Sequence, residues 1–328
     1  MKKFITRFIS FAIIISLFSA CGKDNSKNNT DVEKQKIYTS FYPLESITKE
    51  IVKDKMEVKN LIPVGQEVHH WEPTAKDMKD LDKGSVILVN GVNLESWTEK
   101  FKSALTEVNI VEVSKDVPLL KSEEHEHEEH EHEHEEEKDV VKPLSEKEEK
   151  HHNHGEYDPH IWLSLRNMKI MAKNITEQVI SMDKQNESFY RENLTKLQNK
   201  LDELDKKYSA ELENAKNKNI ITSHEAFAYL FNDYGLKQIP IEDINSDSEP
   251  DLAKMKEIVK LAKKENIKYV FYEELSENKI EETIAKEIGG QAKMLYTIEG
   301  RTEEQIKENK DYFQMMEENL KALVEATK

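Results

Sequence analysis

Most histidines of this chain lie in one short acidic segment. Eight of the 12 histidines fall between residues 121 and 156, where they alternate with glutamates. Neutral imidazoles and carboxylates both bind divalent transition metals. The segment therefore indicates that the chain handles metal ions, although nothing in it fixes the geometry of a single coordination site. These histidines are His125, His127, His130, His132, His134, His151, His152 and His154.

Other side chains that can bind a metal follow the ends of predicted strands. GQEVHHWEP contains His69 and His70 after the second strand. His224 in TSHEAF and Glu299 in LYTIEG each follow a later strand directly, and His160 lies in the turn DPHIW before a helix. Ligands of open α/β sheets bind beyond the carboxyl ends of the strands. Because both halves of the chain supply candidates, we expect a cation to bind between two lobes.

Short apolar runs alternate with helical runs along most of the chain, which is typical of parallel α/β sheets. We therefore predict an α/β fold of two four-stranded parallel-sheet lobes with flanking helices, joined by one long rigid helix. The metal site is expected in the cleft between the lobes. The predicted strands are 36–40, 58–62, 85–90, 108–113, 219–223, 237–243, 267–273 and 289–298. The main predicted helices are 43–52, 74–84, 94–105, 166–182, 186–215, 224–235, 248–266, 278–288 and 302–327.

The linking helix is predicted at 186–215, which contains neither Gly nor Pro. Apolar side chains recur there every three or four residues, so one face of the helix is expected to be buried. At ~1.5 Å per residue this helix runs roughly 45 Å, longer than one small domain. The apolar residues are Leu194, Leu197, Leu201, Leu204, Tyr208 and Leu212.

The first 20 residues have the pattern of a secretion signal. Three basic residues precede the apolar run 8–18, which is too short to span a bilayer. Small residues then precede Cys21, the only cysteine, as in a bacterial lipoprotein signal. The alternative is an ordinary signal peptide with a chance cysteine. We expect Cys21 to be lipidated and to anchor the chain to the outer face of the membrane.

Composition divides the chain into five parts. We predict a lipoprotein signal peptide at 1–20, a flexible tether at 21–35, an N-terminal α/β lobe at 36–185, the linking helix at 186–215 and a C-terminal α/β lobe at 216–328. Within the N-terminal lobe, segment 121–156 has almost no large apolar side chains, and we predict that it is a disordered loop.

The charge balance argues against nucleic acid as a partner. Charged residues make up 34% of the chain, the formal net charge is −17, and no basic stripe is present to neutralise phosphates. Removing the three basic residues of the signal changes the net charge from −17 to −20. Acidity of this kind is compatible with a cationic ligand.

Several sequence runs occur in the order and at the spacing of one protein family. They are TSFYPL (39–44), GQEVHHWEP (65–73), VNGVNLESW (89–97), DPHIWLS (158–164), HEAFAYLFNDYGLKQIPI (224–241), EPDLAKM (249–255), FYEEL (271–275), and EG followed by DYFQMMEENL (311–320). Over essentially residues 36–328 the chain resembles the solute-binding lipoproteins of zinc and manganese ABC importers, specifically the zinc-uptake branch. The resemblance implies a single metal site formed by His69, His160, His224 and Glu299, and two lobes that move only modestly on binding.

The chain departs from the family pattern beside the first ligand. Val68 replaces a usual Pro and His70 replaces a usual Asp, so His70 is a competitor of His69 for the metal. FYEEL offers Glu273 and Glu274 as rivals of Glu299. These alternatives stay open at the level of sequence.

Three imidazoles and one carboxylate suit four-coordinate Zn²⁺, whereas Mn²⁺ prefers more oxygen ligands. The manganese branch of the resembled family has a carboxylate at the position of His224. We therefore expect one tight Zn²⁺ site, with further weak zinc binding in segment 121–156. That segment is expected to capture, buffer or sense zinc, or to pass it to His160. The alternative is a tolerated insertion with no required role.

The expected function is extracytoplasmic capture of Zn²⁺ by a monomer that delivers the ion to an ABC permease and its ATPase. The alternatives are a manganese-binding receptor of the same family, a surface adhesin and a zinc hydrolase. HEAFA begins like the metalloprotease motif HExxH, but Ala228 stands where that motif needs its second histidine. We therefore predict that the chain is not an enzyme.

Overall fold

The structure is a computed structural model that describes residues 34–122 except 80, 82, 83, 105 and 106, together with 156–242 and 252–328. The predicted signal peptide, Cys21 and the eight histidines of segment 121–156 lie outside the described residues. Among the described helices, none is long and apolar enough to cross a membrane.

The N-terminal lobe contains a parallel sheet of four strands in the order β2-β1-β3-β4. The central strand β3 reads VILV and is buried along its whole length, as expected where helices cover both faces of a parallel sheet. The strands are β1 (Lys36–Thr39), β2 (Glu57–Asn60), β3 (Val86–Val89) and β4 (Asn109–Glu112).

The C-terminal lobe repeats this arrangement, with a parallel sheet in the order β6-β5-β7-β8. In both sheets the first strand in sequence lies inside, between the second and the third. The carboxyl end of an inner strand is where chain loops can form a ligand site. The strands are β5 (Asn219–Thr222), β6 (Lys237–Pro240), β7 (Tyr269–Tyr272) and β8 (Gln291–Met294).

Helices cover the sheets, and several of them depart from the sequence prediction; the helix predicted over 94–105, for example, begins four residues late, at Thr98. The described helices are α1 (Tyr42–Val52), α2 (Ala75–Lys79), α3 (Thr98–Ala104), α4 (Leu165–Met182), α5 (Glu187–Leu212), α6 (Ala228–Tyr234), α7 (Leu252–Lys264), α8 (Lys279–Ile288), α9 (Glu303–Lys307) and α10 (Tyr312–Ala326). The prediction of one helix over 302–327 is wrong, because the left-handed residue Asn309 (φ 54°) ends the first part and a capping box at Asp311 starts a new helix.

The helix predicted over 224–235 begins four residues late, at Ala228. The carbonyl of His224 accepts hydrogen bonds from the Gln238 side chain (2.6 Å) and the Thr222 hydroxyl (3.0 Å). A carbonyl held by these side chains is drawn into a turn rather than into the first turn of a helix. His224 is therefore presented on a turn directly after β5.

Helix α5 spans 26 residues, a length of about 39 Å. Its apolar stripe is buried as the sequence predicts. Near its start, Asn193 Nδ2 donates to the Ile51 carbonyl of the N-terminal lobe at 2.9 Å. Near its end, the Tyr208 hydroxyl donates to the Met316 carbonyl of the C-terminal lobe at 2.5 Å. The predicted fold class is confirmed: two four-stranded parallel sheets with flanking helices and a long helix between the lobes.

Candidate metal centre

Four side chains from separate parts of the chain meet in one buried cluster. His69, His160, His224 and Glu299 each offer one ligand atom, and these atoms all lie within 4.8 Å of one another. No side chain of the four is more than 6% exposed. His69 lies in the loop after β2, His160 just before the short 3₁₀ helix Ile161–Leu163, His224 after β5, and Glu299 after β8. Within the described residues this is the one group of its kind.

The ligand atoms are spaced much as they are in a tetrahedral site around a small ion. Nε2 of His160 lies 3.1 Å from Nε2 of His69 and 3.4 Å from Nε2 of His224. Glu299 Oε1 lies 3.6, 3.7 and 4.0 Å from Nε2 of His69, His160 and His224. Ligands at the usual Zn–N distance form a tetrahedron with edges of about 3.3 Å. Five of the six separations, 3.1–4.0 Å, are therefore close to this edge, and the sixth, between His69 and His224, lies within 4.8 Å.

Glu299 supplies a second test of fit. Its Oε1 atom is buried and has no hydrogen-bond partner. A buried carboxylate oxygen without a partner is costly, because it has lost its hydration without gaining a donor. An ion at the centre of the cluster would supply the missing positive charge.

The ring of His160 is oriented by Asp158. Asp158 Oδ1 accepts from His160 Nδ1 at 2.7 Å and from the His160 backbone N–H at 2.8 Å. With its proton on Nδ1, the ring directs the free lone pair of Nε2 into the cluster. A carboxylate behind a metal-binding imidazole fixes both the tautomer and the ring orientation.

The ring of His224 is oriented in the same manner by Glu273. Glu273 Oε1 accepts from His224 Nδ1 at 2.5 Å and also accepts from the Ser223 hydroxyl. Glu273 lies directly after β7, the strand beside β5 in the sheet. It was a rival of Glu299 in the sequence prediction, and the structure places it behind His224.

Glu67 holds the segment that carries His69. Its carboxylate accepts from the backbone N–H of His69 at 2.6 Å and of His70 at 3.3 Å. His70 is exposed and is not a member of the cluster, so the structure separates the two adjacent histidines. Glu274, the other predicted rival of Glu299, accepts hydrogen bonds from the backbone just before Glu299.

The three histidines differ in their affinity for protons. Burial, together with the charges of His69 and His224, lowers the pKa of His160 well below its ordinary value. Burial also acts to lower the pKa of His224, but the Glu273 carboxylate outweighs it and raises that pKa to about 9. Burial disfavours the charged form of His69, but the nearby Glu299 carboxylate favours it. The net result is that the pKa of His69 is raised. An ion must therefore displace protons to enter.

The carboxylates that orient the cluster were not predicted from the sequence, although the spacing of two of them from a histidine is visible there. In the N-terminal lobe an acidic residue precedes each cluster histidine by two positions, in Glu67-Val68-His69 and Asp158-Pro159-His160. This spacing lets a carboxylate accept the backbone N–H two residues later. Glu273 and Glu274 have no such local signal, because each acts on a segment distant in sequence.

Comparison with known proteins identifies relatives over nearly the whole chain. Residues 37–326 match the family model described as the periplasmic component A of the zinc-uptake complex. The chain is 36% identical to the high-affinity zinc uptake system protein ZnuA of Bacillus subtilis, over 98% of this chain and 97% of that protein. It is 35% identical to the zinc-binding protein AdcA of Streptococcus pyogenes, over 98% of this chain but only 61% of that longer protein.

Solved structures share the fold. The Zn(II)-bound ZnuA-like domain of Streptococcus pneumoniae AdcA is 30% identical and superposes with a TM-score of 0.72, covering 90% of this chain and 99% of that domain. The metal-dependent lipoprotein YcdH of Bacillus subtilis is 33% identical, also with a TM-score of 0.72, and covers 90% of this chain and 100% of that one. Together with the family match, these relatives show that the chain belongs to the family of the periplasmic component A of zinc-uptake complexes.

Proposed function

We propose that the cluster of His69, His160, His224 and Glu299 captures one zinc ion outside the cytoplasm, for delivery to a membrane ABC permease and its ATPase. The observation that carries the proposal is the convergence of three imidazoles and one unpartnered carboxylate oxygen, with ligand atoms that all lie within 4.8 Å of one another. The chain belongs to a family of solute-binding receptors that serve zinc uptake. A relative of the same fold has been solved with Zn(II) bound.

The donor set supports zinc over manganese. Three imidazoles and a single carboxylate suit Zn²⁺, whereas Mn²⁺ favours more oxygen ligands. Carboxylates behind His160 and His224 keep both rings oriented for a small four-coordinate ion. We infer one tight site, with weaker zinc binding at the histidines of segment 121–156.

The same features support binding rather than catalysis. Catalytic zinc sites keep one coordination position for water, whereas four protein donors converge here. The HExxH motif also needs its first histidine on a helix, and His224 lies before the start of α6 at Ala228. We infer that release occurs when the permease separates the two lobes, since the ligands come from both.

The proposal is tested by competitive Zn²⁺ and Mn²⁺ titrations of residues 22–328, with and without segment 121–156. One tight zinc site is expected to survive deletion of the segment and to be lost in His224→Ala. The matched control is His70→Ala, which removes an exposed histidine outside the cluster. Tight binding that disappears with segment 121–156 and survives His224→Ala would overturn the assignment.

A structural relative raises a second candidate function. The laminin-binding protein Lmb of Streptococcus agalactiae, described as a bifunctional protein with adhesin and metal-transporting activity, is 26% identical with a TM-score of 0.73. Adhesion by this chain is tested by its binding to immobilised laminin. Binding that persists in His224→Ala would support an adhesive surface separate from the metal cluster, and absence of binding would exclude this candidate.

A further inference from the structure

The backbone just before Glu299 is held by side chains rather than by the sheet. After β8, the Leu295 N–H donates to the Tyr272 carbonyl, and the regular pairing then ends. Asn319 accepts from the Tyr296 N–H and donates to the Tyr296 carbonyl, both at 2.8 Å. Trp162 Nε1 donates to the Thr297 carbonyl at 2.7 Å. Each of these contacts limits how the following residues can turn.

Glu274 makes the contacts nearest to Glu299. Its Oε2 atom accepts from the Thr297 N–H at 3.0 Å and, more weakly, from the Thr297 hydroxyl at 3.4 Å. Its Oε1 atom accepts from the Ile298 N–H at 2.7 Å. Two successive backbone N–H groups thus point at one buried carboxylate, an arrangement that binds anions well.

Ile298, whose backbone N–H donates to Glu274, has an unfavourable backbone conformation. Ile298 is fully buried and has φ 60°, in the left-handed region. A β-branched residue rarely adopts this conformation, because its side chain clashes with the backbone. Such strain persists only where the surroundings impose it.

A similar arrangement in the N-terminal lobe has a glycine at the corresponding donor position. The Glu95 carboxylate accepts from the backbone N–H groups of Asn90 (2.7 Å) and Gly91 (3.1 Å) and from the Ser40 hydroxyl (2.6 Å). The second backbone donor is again left-handed, but there it is a glycine with φ 81°, which pays no steric cost. The bonding pattern therefore calls for a left-handed residue, and only next to Glu299 is that residue strained.

We propose that Glu274 is a positioning residue for zinc binding, whose carboxylate holds Thr297 and Ile298 so that Glu299 is directed into the cluster. This inference rests on the proposed function, because Glu299 matters only if the cluster binds zinc. Glu274 is not itself a ligand, since backbone donors occupy both of its oxygens and it lies outside the cluster.

The test compares Glu274→Gln with three other variants in the full chain. An amide has only one acceptor oxygen, so Glu274→Gln sets an N–H donor against the backbone N–H of either Thr297 or Ile298 and loses one of the two contacts. Glu299→Gln replaces the carboxylate of the cluster by a neutral amide, and Glu274→Gln/Glu299→Gln combines the two changes. The matched control is Glu281→Gln, a buried glutamate of α8 with one unpartnered oxygen.

Zinc affinity by chelator competition and the d–d absorption spectrum of bound Co²⁺ are the two readouts. Glu274→Gln is expected to lower zinc affinity about 10- to 100-fold and to shift the Co²⁺ spectrum toward that of Glu299→Gln. Glu281→Gln is expected to change neither. In the Glu299→Gln background, the Glu274 change should alter affinity by less than about twofold, since the two residues act on the same contact.

The outcomes separate this inference from the proposed function. If His224→Ala and Glu299→Gln bind zinc like the unaltered chain, the proposed function fails, and the positioning role fails with it. If those variants bind weakly while Glu274→Gln binds normally, or if the effects of Glu274 and Glu299 are additive, only the positioning role is wrong. Should Glu274→Gln not fold, Glu274→Asp withdraws the carboxylate by one methylene, and an unchanged affinity would likewise overturn the positioning role.

Discussion

The two lobes hold the side chains of the candidate metal cluster by different means. In the N-terminal lobe, Glu67 and Asp158 each accept the backbone N–H of a histidine two residues further on. In the C-terminal lobe, His224 is held by Glu273, 49 residues away in sequence. The backbone before Glu299 is held by Glu274, more than 20 residues away.

The difference concerns which part of the fold must be complete before a ligand is oriented. A carboxylate two residues away can form its hydrogen bond within a short turn. Glu273 reaches His224 only when β5 and β7 are paired, and Glu274 reaches Thr297 only when β7 and β8 are paired. The C-terminal half of the site therefore depends on the assembled sheet, and changes to its supports should have larger effects.

The largest effect should come from replacing the acid behind a ring nitrogen in each lobe. Glu273→Gln and Asp158→Asn are both expected to lower zinc affinity within the range of about 10- to 100-fold, with Glu273→Gln the more severe. Burial raises the pKa of Asp158 to about 7, whereas the pKa of Glu273 is lowered by His224 against the opposing effect of burial. At pH 7 Glu273 therefore contributes more negative charge than Asp158.

Chelator competition at pH 7 measures both variants against the control Glu281→Gln. An effect of Asp158→Asn equal to or larger than that of Glu273→Gln would contradict the difference between the lobes. Similar unfolding midpoints in urea for all three variants would show that the loss of affinity is not a loss of fold.

The next effect is a pH dependence that arises mainly in the C-terminal lobe. With the pKa of His224 at about 9 and that of His160 well below its ordinary value, His224 carries a proton at pH 7 and His160 does not. Zinc must displace the proton of His224, so its affinity should rise by about tenfold per pH unit between pH 7 and 9. Titration calorimetry in buffers of different ionisation enthalpy counts the protons released. Release of none at pH 7 would contradict this prediction.

The stability of the metal-free protein should change in the opposite direction. The folded pKa of His224 is raised, so its contribution is fully present below the unfolded value of about 6.5 and is lost as pH rises through 9. Urea unfolding of the metal-free chain at pH 7 and 9 should show lower stability at pH 9, and the opposite order would refute this assignment.

The same difference between the lobes explains what the sequence could predict. Strand periodicity and the positions of the strand ends identify both sheets and the segments that carry His69, His160, His224 and Glu299. Glu67 and Asp158 also had a local signal in their spacing from a histidine. The roles of Glu273 and Glu274 depend on strand pairing, which a single sequence does not specify. Either of these two glutamates could therefore be interpreted as a metal ligand. The turn at His224 was mistaken for helix because the side chain of Gln238 determines it.

A smaller effect is expected at Glu67. Its carboxylate holds the backbone at His69 and His70 but does not contact a ring nitrogen by hydrogen bond. Glu67→Gln retains one acceptor for the shorter bond, and net hydrogen bonds of this kind contribute about 1 kcal/mol. Zinc affinity should therefore fall less than about tenfold by chelator competition. A loss as large as that in Glu273→Gln would show that local supports matter as much as distant ones.

The smallest effect is expected at His70, where the sequence left a choice between adjacent histidines. The exposed ring of His70 lies outside the cluster, whereas the ring of His69 is buried within it. His70→Ala should change zinc affinity by less than about twofold, because neither the donor set nor the Glu67 contact to the His69 backbone requires the His70 ring. His69→Ala, measured beside it, should lower affinity strongly, since a tetrahedral site then lacks one ligand. Equal losses in both variants would mean that the two histidines share the ion and that the N-terminal half of the site is less fixed than its short-range hydrogen bonds indicate.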